Sequence, residues 1–129
     1  MGLKPQLSIA GAAASLFRLA PASVFLVHGW LKLLGGHHDL TVALFLTVGI
    51  PLAEAAAWGV GGLELLGGLA LLTAVLVRPA AALLAVEMAV VIAVVRLPQG
   101  FVGAWEFEFV LLLICLGLAL SPTGARRMG

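Results

Sequence analysis

Long apolar stretches separated by short polar or glycine-rich breaks run along most of the chain. Four of them approach the ~20 residues that a bilayer-spanning helix needs. We place these spans at about residues 15–34, 52–77, 79–97 and 102–120. None shows the strict two-residue alternation that a membrane β-barrel requires. The pattern predicts an all-α fold, an integral membrane antiparallel four-helix bundle that forms a single transmembrane domain over residues 1–129.

The segment 35–51 interrupts this pattern after the first span. It opens with GGHHDL, whose paired glycines break the helix, and it is too short to cross a bilayer. We therefore expect a connector at the outer interface.

Basic residues predict the orientation of the bundle, because lysine and arginine are enriched in cytoplasmic loops. Four spans place Lys32 and Arg96 on one side. The other side carries Lys4, Arg18, Arg78, Arg126 and Arg127. The sequence thus predicts a multi-pass protein of the bacterial inner (plasma) membrane with both termini in the cytoplasm.

Composition supports a membrane protein and disfavours one class of partner. Hydrophobic residues make up 63% of the chain and charged residues 10%, and the mean hydropathy is +1.20. This balance lies far outside that of a soluble domain. The net charge of +1, without a basic stripe, argues against nucleic acid as a partner. The lipid bilayer is the partner that the composition predicts.

Ionisable residues inside the spans are the candidate functional residues. Arg18, His28 and Lys32 fall within an arc of roughly 80° on the first helix. Glu64 and Glu87 lie near the middle of the second and third spans. A charge at that depth costs about 2.5–3.5 kcal/mol on insertion scales, so neither should face lipid without a partner. We expect both carboxylates to point into the bundle.

The fourth span carries two glutamates, only one of which can face the interior. Glu106 and Glu108 are about 200° apart on a helix. Glu108 shares its face with Leu112 and Cys115, so we expect it to point inward and Glu106 to lie at the outer rim. The predicted binding residues are thus His28, Lys32, Glu64, Glu87 and Glu108.

Two interpretations of this cluster stay open at the level of the residues. The charges can form satisfied pairs that lock the helices in register, since buried ion pairs alone are weak evidence of chemistry. Alternatively, they can line a cavity for a proton, a quinone-like headgroup or another small polar molecule.

Metal and haem sites are not expected. His28 is the only histidine inside a span, so a bis-histidine haem lacks its second ligand there. A di-iron bundle would require Glu-x-x-His pairs, which the sequence does not contain. His37, His38 and Asp39 are expected in a solvated outer loop. We predict no metal and no cofactor motif within the chain.

Small residues indicate the helix surfaces that pack. Ala57, Gly61 and Gly68 share a face with Glu64 in the second span, where they allow a neighbouring helix to approach closely. In the third span an alanine recurs every four residues and predicts a second packing surface. Its members are Ala81, Ala85, Ala89 and Ala93.

Several short motifs, in order, resemble the DoxX family of small four-helix bacterial membrane proteins. The stretch LFRLAPASVFLVHGWLKLLGG resembles its first span, with Arg18, Gly29 and Lys32 in the places of a family arginine, glycine and lysine. GIP, ELLGGLALL, RLPQGF and WEFEFVLLL follow in the family's order. Arg96 departs from the pattern, since the family often has histidine there.

The resemblance implies a function associated with membrane redox chemistry. Some members are small subunits of quinone-reducing oxidoreductases, so it implies an accessory or anchoring subunit of a quinone-linked system. Its partners would be a redox protein or further copies of the chain, and a bound quinone would be its ligand. The alternative is an autonomous binder or transporter of a quinone-like or proton-coupled small molecule. Whether the chain is itself an enzyme stays open.

Overall fold

The structure, a computed structural model, describes residues 4–121, with side chains described from residue 9 onward. Of the basic residues that predict the orientation, Arg126 and Arg127 lie outside the described residues, as does the side chain of Lys4.

The described chain is helical throughout and contains no strand within residues 4–121. Its helices are α1 (Lys4–Leu33), α2 (His38–Thr47), α3 (Ala53–Thr73), α4 (Val77–Val90) and α5 (Glu106–Leu120). A π-helical segment, Val91–Arg96, continues α4. Within the described range, four helical stretches are long and apolar enough to cross a membrane: Ile9–Leu33, Ala53–Thr73, Val77–Gln99 and Phe101–Leu120. The predicted all-α fold with four membrane-spanning helices is confirmed.

The bundle is built from two tightly packed helix pairs. The most extensive contacts join α1 to α3 and α4 to α5, whereas α3 and α4 share a smaller contact surface. The core between them contains the fully buried side chains of Phe25, Leu71, Leu84 and Cys115. The short helix α2 packs mainly against α3 and lies over one end of the bundle. We call this the α2 end and the opposite one the Arg78 end.

Close approach of α1 and α3 depends on glycines in both helices. A Cβ added at Gly29 would collide with the backbone nitrogen of Leu65. One added at Gly68 would lie 2.8 Å from the backbone nitrogen of Leu26. The helix backbones are therefore in direct contact, as the small residues of the second span predict.

The connection between α3 and α4 lies earlier in the chain than the predicted spans 52–77 and 79–97 place it. Helix α3 ends at Thr73, and α4 begins at Val77, so Arg78 and Pro79 belong to the first turn of α4. The intervening turn uses non-glycine residues in the left-handed conformation, Ala74 (φ 61°) and Leu76 (φ 53°). An apolar turn of this kind carries none of the usual glycine or polar signals.

Arginines satisfy carbonyl groups at the Arg78 end, where the last turns of helices lack intrahelical partners. The Nε of Arg18 donates to the carbonyl of Leu71 at 2.6 Å, near the end of α3. The Nε of Arg78 donates to the carbonyl of Ala119 at 2.8 Å, near the end of α5. Each arginine thereby ties one helix to the end of another.

The alanine stripe predicted for the third span is only half correct. Ala81 and Ala85 are buried, whereas Ala89 and Ala93 are exposed. A four-residue step advances about 400° around an α-helix, so each alanine is displaced by about 40° from the one before. The stripe thus rotates away from the core after two members.

We predict that Gly29→Ala lowers the stability of the bundle by about 1–3 kcal/mol, because the added methyl group overpacks a backbone contact. Thermal unfolding in mild detergent measures this change. Gly62→Ala on α3 is the matched control, since its Cβ would meet no atom within 4 Å. Equal melting temperatures for the two variants would contradict the proposed close contact.

Candidate functional site

A cavity of about 390 Å³ lies between the helix pairs near the α2 end. Residues of all four spanning stretches line it, and α2 covers it through Thr41, Leu44 and Phe45. The five predicted binding residues all line this one space, which we call the polar cavity: His28, Lys32, Glu64, Glu87 and Glu108. The prediction that the mid-span glutamates point into the bundle is therefore confirmed.

An ion pair joins α1 to α3 on the wall of the polar cavity. The Nζ of Lys32 lies 2.7 and 2.9 Å from the two carboxylate oxygens of Glu64. Glu64 is only 2% exposed. Both oxygens of its buried carboxylate are thus satisfied by one ammonium group, as a buried charge requires.

The glycine-mediated helix contact explains this geometry. Gly61 lies one helical turn from Glu64, and a Cβ there would meet the side chains of Leu33 and Lys32. Without that close approach, α1 would stand farther from α3. The Lys32 ammonium group would then be too far away to donate hydrogen bonds to both oxygens of Glu64.

A second ion pair joins the end of the third spanning stretch to α5. The Nε of Arg96 donates to Oε1 of Glu108 at 3.2 Å, and Nη1 donates to the side-chain oxygen of Gln99 at 3.2 Å. Glu108 is 8% exposed. The sequence identifies Arg96 as a cation in the third span. It gives no indication that the π-helical segment places the Arg96 guanidinium beside the Glu108 carboxylate.

The two glutamates of α5 have the orientations expected from their spacing. Glu108 is buried in the polar cavity, whereas Glu106 is only partly buried. Oε1 of Glu106 accepts a hydrogen bond from the backbone N–H of Gly103 at 2.7 Å, just before α5 begins. Glu106 therefore stabilises the helix start, where an acidic group is also favoured by the helix dipole.

Glu87 is the one buried carboxyl of the described cavity without a cation of its own. It is 8% exposed, and neither oxygen has a hydrogen-bond donor among the described residues. It interacts electrostatically with Glu64 and Lys32, but the Lys32 ammonium is already paired with Glu64. Oε2 of Glu108 likewise lacks a partner within residues 4–121. Buried polar atoms of this kind commonly mark functional positions.

Histidine and aromatic residues complete the wall. The ring of His28 lies 6.5 Å from that of Phe107, measured between centroids, and both residues line the polar cavity. Phe25 and Phe45 add aromatic surface. The cavity therefore combines charged groups with aromatic side chains, a composition typical of small-molecule sites.

His38 of the connector is not simply solvated, contrary to the sequence interpretation, whereas His37 and Asp39 are exposed as expected. His38 is the first residue of α2, and its Nε2 lies 2.8 Å from Oε1 of Glu54. Its ring stacks on Trp58 with a centroid distance of 3.9 Å. This cluster fastens α2 to the start of α3 above the cavity. Spacing alone could not reveal it, because His38 and Glu54 belong to different helices.

No group of three histidine, cysteine, aspartate or glutamate side chains that could hold a metal ion occurs in the described part of the chain. Cys115 is fully buried in the core and does not line the polar cavity.

Comparison with known proteins gives one consistent result. The DoxX family model matches residues 13–97, a range that includes four of the five predicted binding residues and ends before Glu108. A relative from Bacillus subtilis (strain 168), "Putative oxidoreductase CatD", is 32% identical over 111 residues. The match covers 86% of this chain and 78% of the relative. No solved structure matches the chain.

We predict that Lys32→Met destabilises the bundle by about 3–5 kcal/mol, because it leaves a buried carboxylate without its cation. The double variant Lys32→Met, Glu64→Gln should recover most of this loss, since it removes both charges. Unfolding in mild detergent measures the coupling between the two sites. Glu54→Gln, outside the cavity, serves as a control. Strictly additive effects would exclude the ion pair as a stabilising contact.

Proposed function

The chain belongs to the DoxX family, and from this membership we propose that it is an accessory or anchoring subunit of a quinone-linked membrane redox system. In this proposal the polar cavity holds the headgroup of a quinone-like molecule. The bacterial inner membrane is the proposed location, with both termini in the cytoplasm.

The polar cavity is the observation that carries this proposal. Its volume of about 390 Å³ falls within the ~300–1,000 Å³ range of small-molecule sites and suits a single substituted ring. It lies between membrane-spanning helices, where a lipid-soluble molecule has access. The name of the Bacillus subtilis relative, "Putative oxidoreductase CatD", supports a redox role.

The chemistry of the walls also suits a quinone-like headgroup. Phe25 and Phe107 can pack against a ring, Lys32 can donate a hydrogen bond to a ring oxygen, and Glu87 and Glu108 can accept hydrogen bonds from ring hydroxyl groups. A quinone brings its own redox chemistry when bound. The residues of this chain would bind the headgroup, orient it and keep it apart from bulk water.

A second candidate is an autonomous binder or transporter of such a molecule. The observation that favours it is Glu87, a buried carboxyl that forms no ion pair with the described residues. Purely structural pairing would leave no such group, whereas proton-coupled movement of a ligand requires one that can gain and lose a proton.

Native mass spectrometry of the complex in mild detergent tests both candidates. The subunit proposal predicts a stable redox-protein partner and a retained quinone-like mass. A lone chain or homodimer that retains the quinone would favour the autonomous binder. Lys32→Met, Glu64→Gln should lose the ligand, whereas Asp39→Asn, at an exposed position outside the cavity, should keep it. Absence of any ring-containing ligand in wild-type samples extracted from native membranes would contradict both candidates.

Cysteine labelling tests the proposed orientation. In a Cys115→Ala background, Asp39→Cys at the α2 end should react with a membrane-impermeant maleimide added outside spheroplasts. Val75→Cys, in the turn at the Arg78 end, should react only after the membrane is opened. Both positions are exposed, so access and not burial decides the outcome. The reverse labelling pattern would place the termini outside.

A further inference from the structure

The buried side-chain atoms of the polar cavity that lack a hydrogen-bond partner among the described residues are all acceptors. Three buried cavity oxygens lack a donor among the described residues: Glu87 Oε1, Glu87 Oε2 and Glu108 Oε2. Both glutamates are more than nine-tenths buried and line the cavity. Leaving such an atom unsatisfied costs about 1–3 kcal/mol, and more for charged groups.

The two cations of the cavity are already engaged, and the remaining ring donor, His28, is exposed. Lys32 donates to both oxygens of Glu64, and Arg96 donates to Glu108 and to Gln99. The hydroxyl of Thr41, on the covering helix, donates to the carbonyl of His37 at 2.8 Å. A ligand that offers only acceptors would therefore leave the three carboxyl oxygens unsatisfied.

The formal charges lead to the same conclusion. Lys32 and Arg96 face three carboxyl groups, Glu64, Glu87 and Glu108. A proton held between Glu64 and Glu87 would satisfy one oxygen of Glu87, but its second oxygen and that of Glu108 would remain acceptors. In either protonation state, at least two buried carboxyl oxygens still need a donor.

The two unsatisfied carboxyl groups belong to different helices of one pair, Glu87 to α4 and Glu108 to α5. A ring with two hydroxyl groups can donate one hydrogen bond to each of them. The aromatic wall formed by Phe25 and Phe107 suits a ring between them.

We infer that the polar cavity selects the dihydroxy form of its ring-shaped ligand, a dihydroxybenzene that donates a hydrogen bond from one hydroxyl group to Glu87 and from the other to Glu108. The inference rests on the proposed function and specifies its ligand. The dihydroxy ring can belong to a lipid-soluble quinol or to a free hydroquinone without a tail.

Binding of four related probes tests this inference under nitrogen, with the protein in nanodiscs free of quinone. The probes are a decyl-benzoquinol, the corresponding benzoquinone, the dimethyl ether of the quinol, and hydroquinone without a tail. Wild-type protein should bind the quinol at least about tenfold more tightly than the quinone or the ether, since a hydrogen bond to a charged group has that effect. Comparison with tail-less hydroquinone separates the lipid-soluble from the water-soluble source.

Glu87→Gln tests the residue assignment, because the amide keeps the shape of the side chain and turns one acceptor into a donor. This variant should reduce the preference for quinol over quinone to less than about threefold. Asp39→Asn, an exposed position that does not line the cavity, is the matched control and should retain it. Should Glu87→Gln fail to fold, the wild-type comparison of quinol with ether still decides the ligand class.

Three results would overturn the inference. Equal or tighter binding of the quinone or ether by wild-type protein would refute the donor preference and leave the proposed function intact. A preference that persists in Glu87→Gln would refute the role of Glu87. Failure of wild-type protein to bind any of the four probes would remove the proposed function and the inference together.

Discussion

The ion pair between Lys32 and Glu64 is the contact on which the arrangement of this bundle depends. It joins α1 to α3 through two short hydrogen bonds at a depth where an isolated charge is strongly disfavoured. Lipid offers no hydrophobic drive for two helices to associate, so small residues and polar contacts must provide the attraction. Gly29 and Gly61 bring the backbones close, and the pair fixes their register. Packing and electrostatics thus specify the same helix pairing.

An ion pair also stabilises the second helix pair, α4 and α5, but there it forms next to irregular backbone. Arg96 and Glu108 link the third spanning stretch to α5 across an irregular connection. The π-helical turn at Val91–Arg96 and the kink at Gly103 (φ 76°) bend the chain there. Departures of this type are frequent at functional positions, where regular geometry would misplace a side chain. Each helix pair therefore has its own internal charge contact near the α2 end.

Sequence reasoning succeeds here where one helix alone decides the outcome. The depth of Glu64 and Glu87 follows from counting residues, and the inward orientation of Glu108 follows from its angular separation from Glu106. Sequence reasoning fails where the position of a side chain depends on the contact between two elements. The partner of Arg96 depends on a π-helical turn, and that of His38 depends on how α2 folds over α3.

The apolar turn at Ala74–Leu76 carries no local signal, so the predicted end of the second span lies beyond Thr73. The alanine stripe fails for a different reason, because a four-residue repeat drifts around the helix.

The position of the polar cavity follows from the division of the bundle into two helix pairs, α1 with α3 and α4 with α5. Each pair has an internal ion pair, but Glu87 on α4 interacts with Glu64 and Lys32 of the other pair, where the Lys32 ammonium is already bound to Glu64. The seam between the pairs is less closely packed than either pair, and it holds the unsatisfied oxygens of Glu87 and Glu108. A molecule in that seam would contact all four spanning stretches and would complete hydrogen bonds that the helices cannot complete for each other. Pairing within each half therefore leaves an unsatisfied polar surface where the halves meet, and a hydroxyl-bearing ring supplies the donors that this surface lacks.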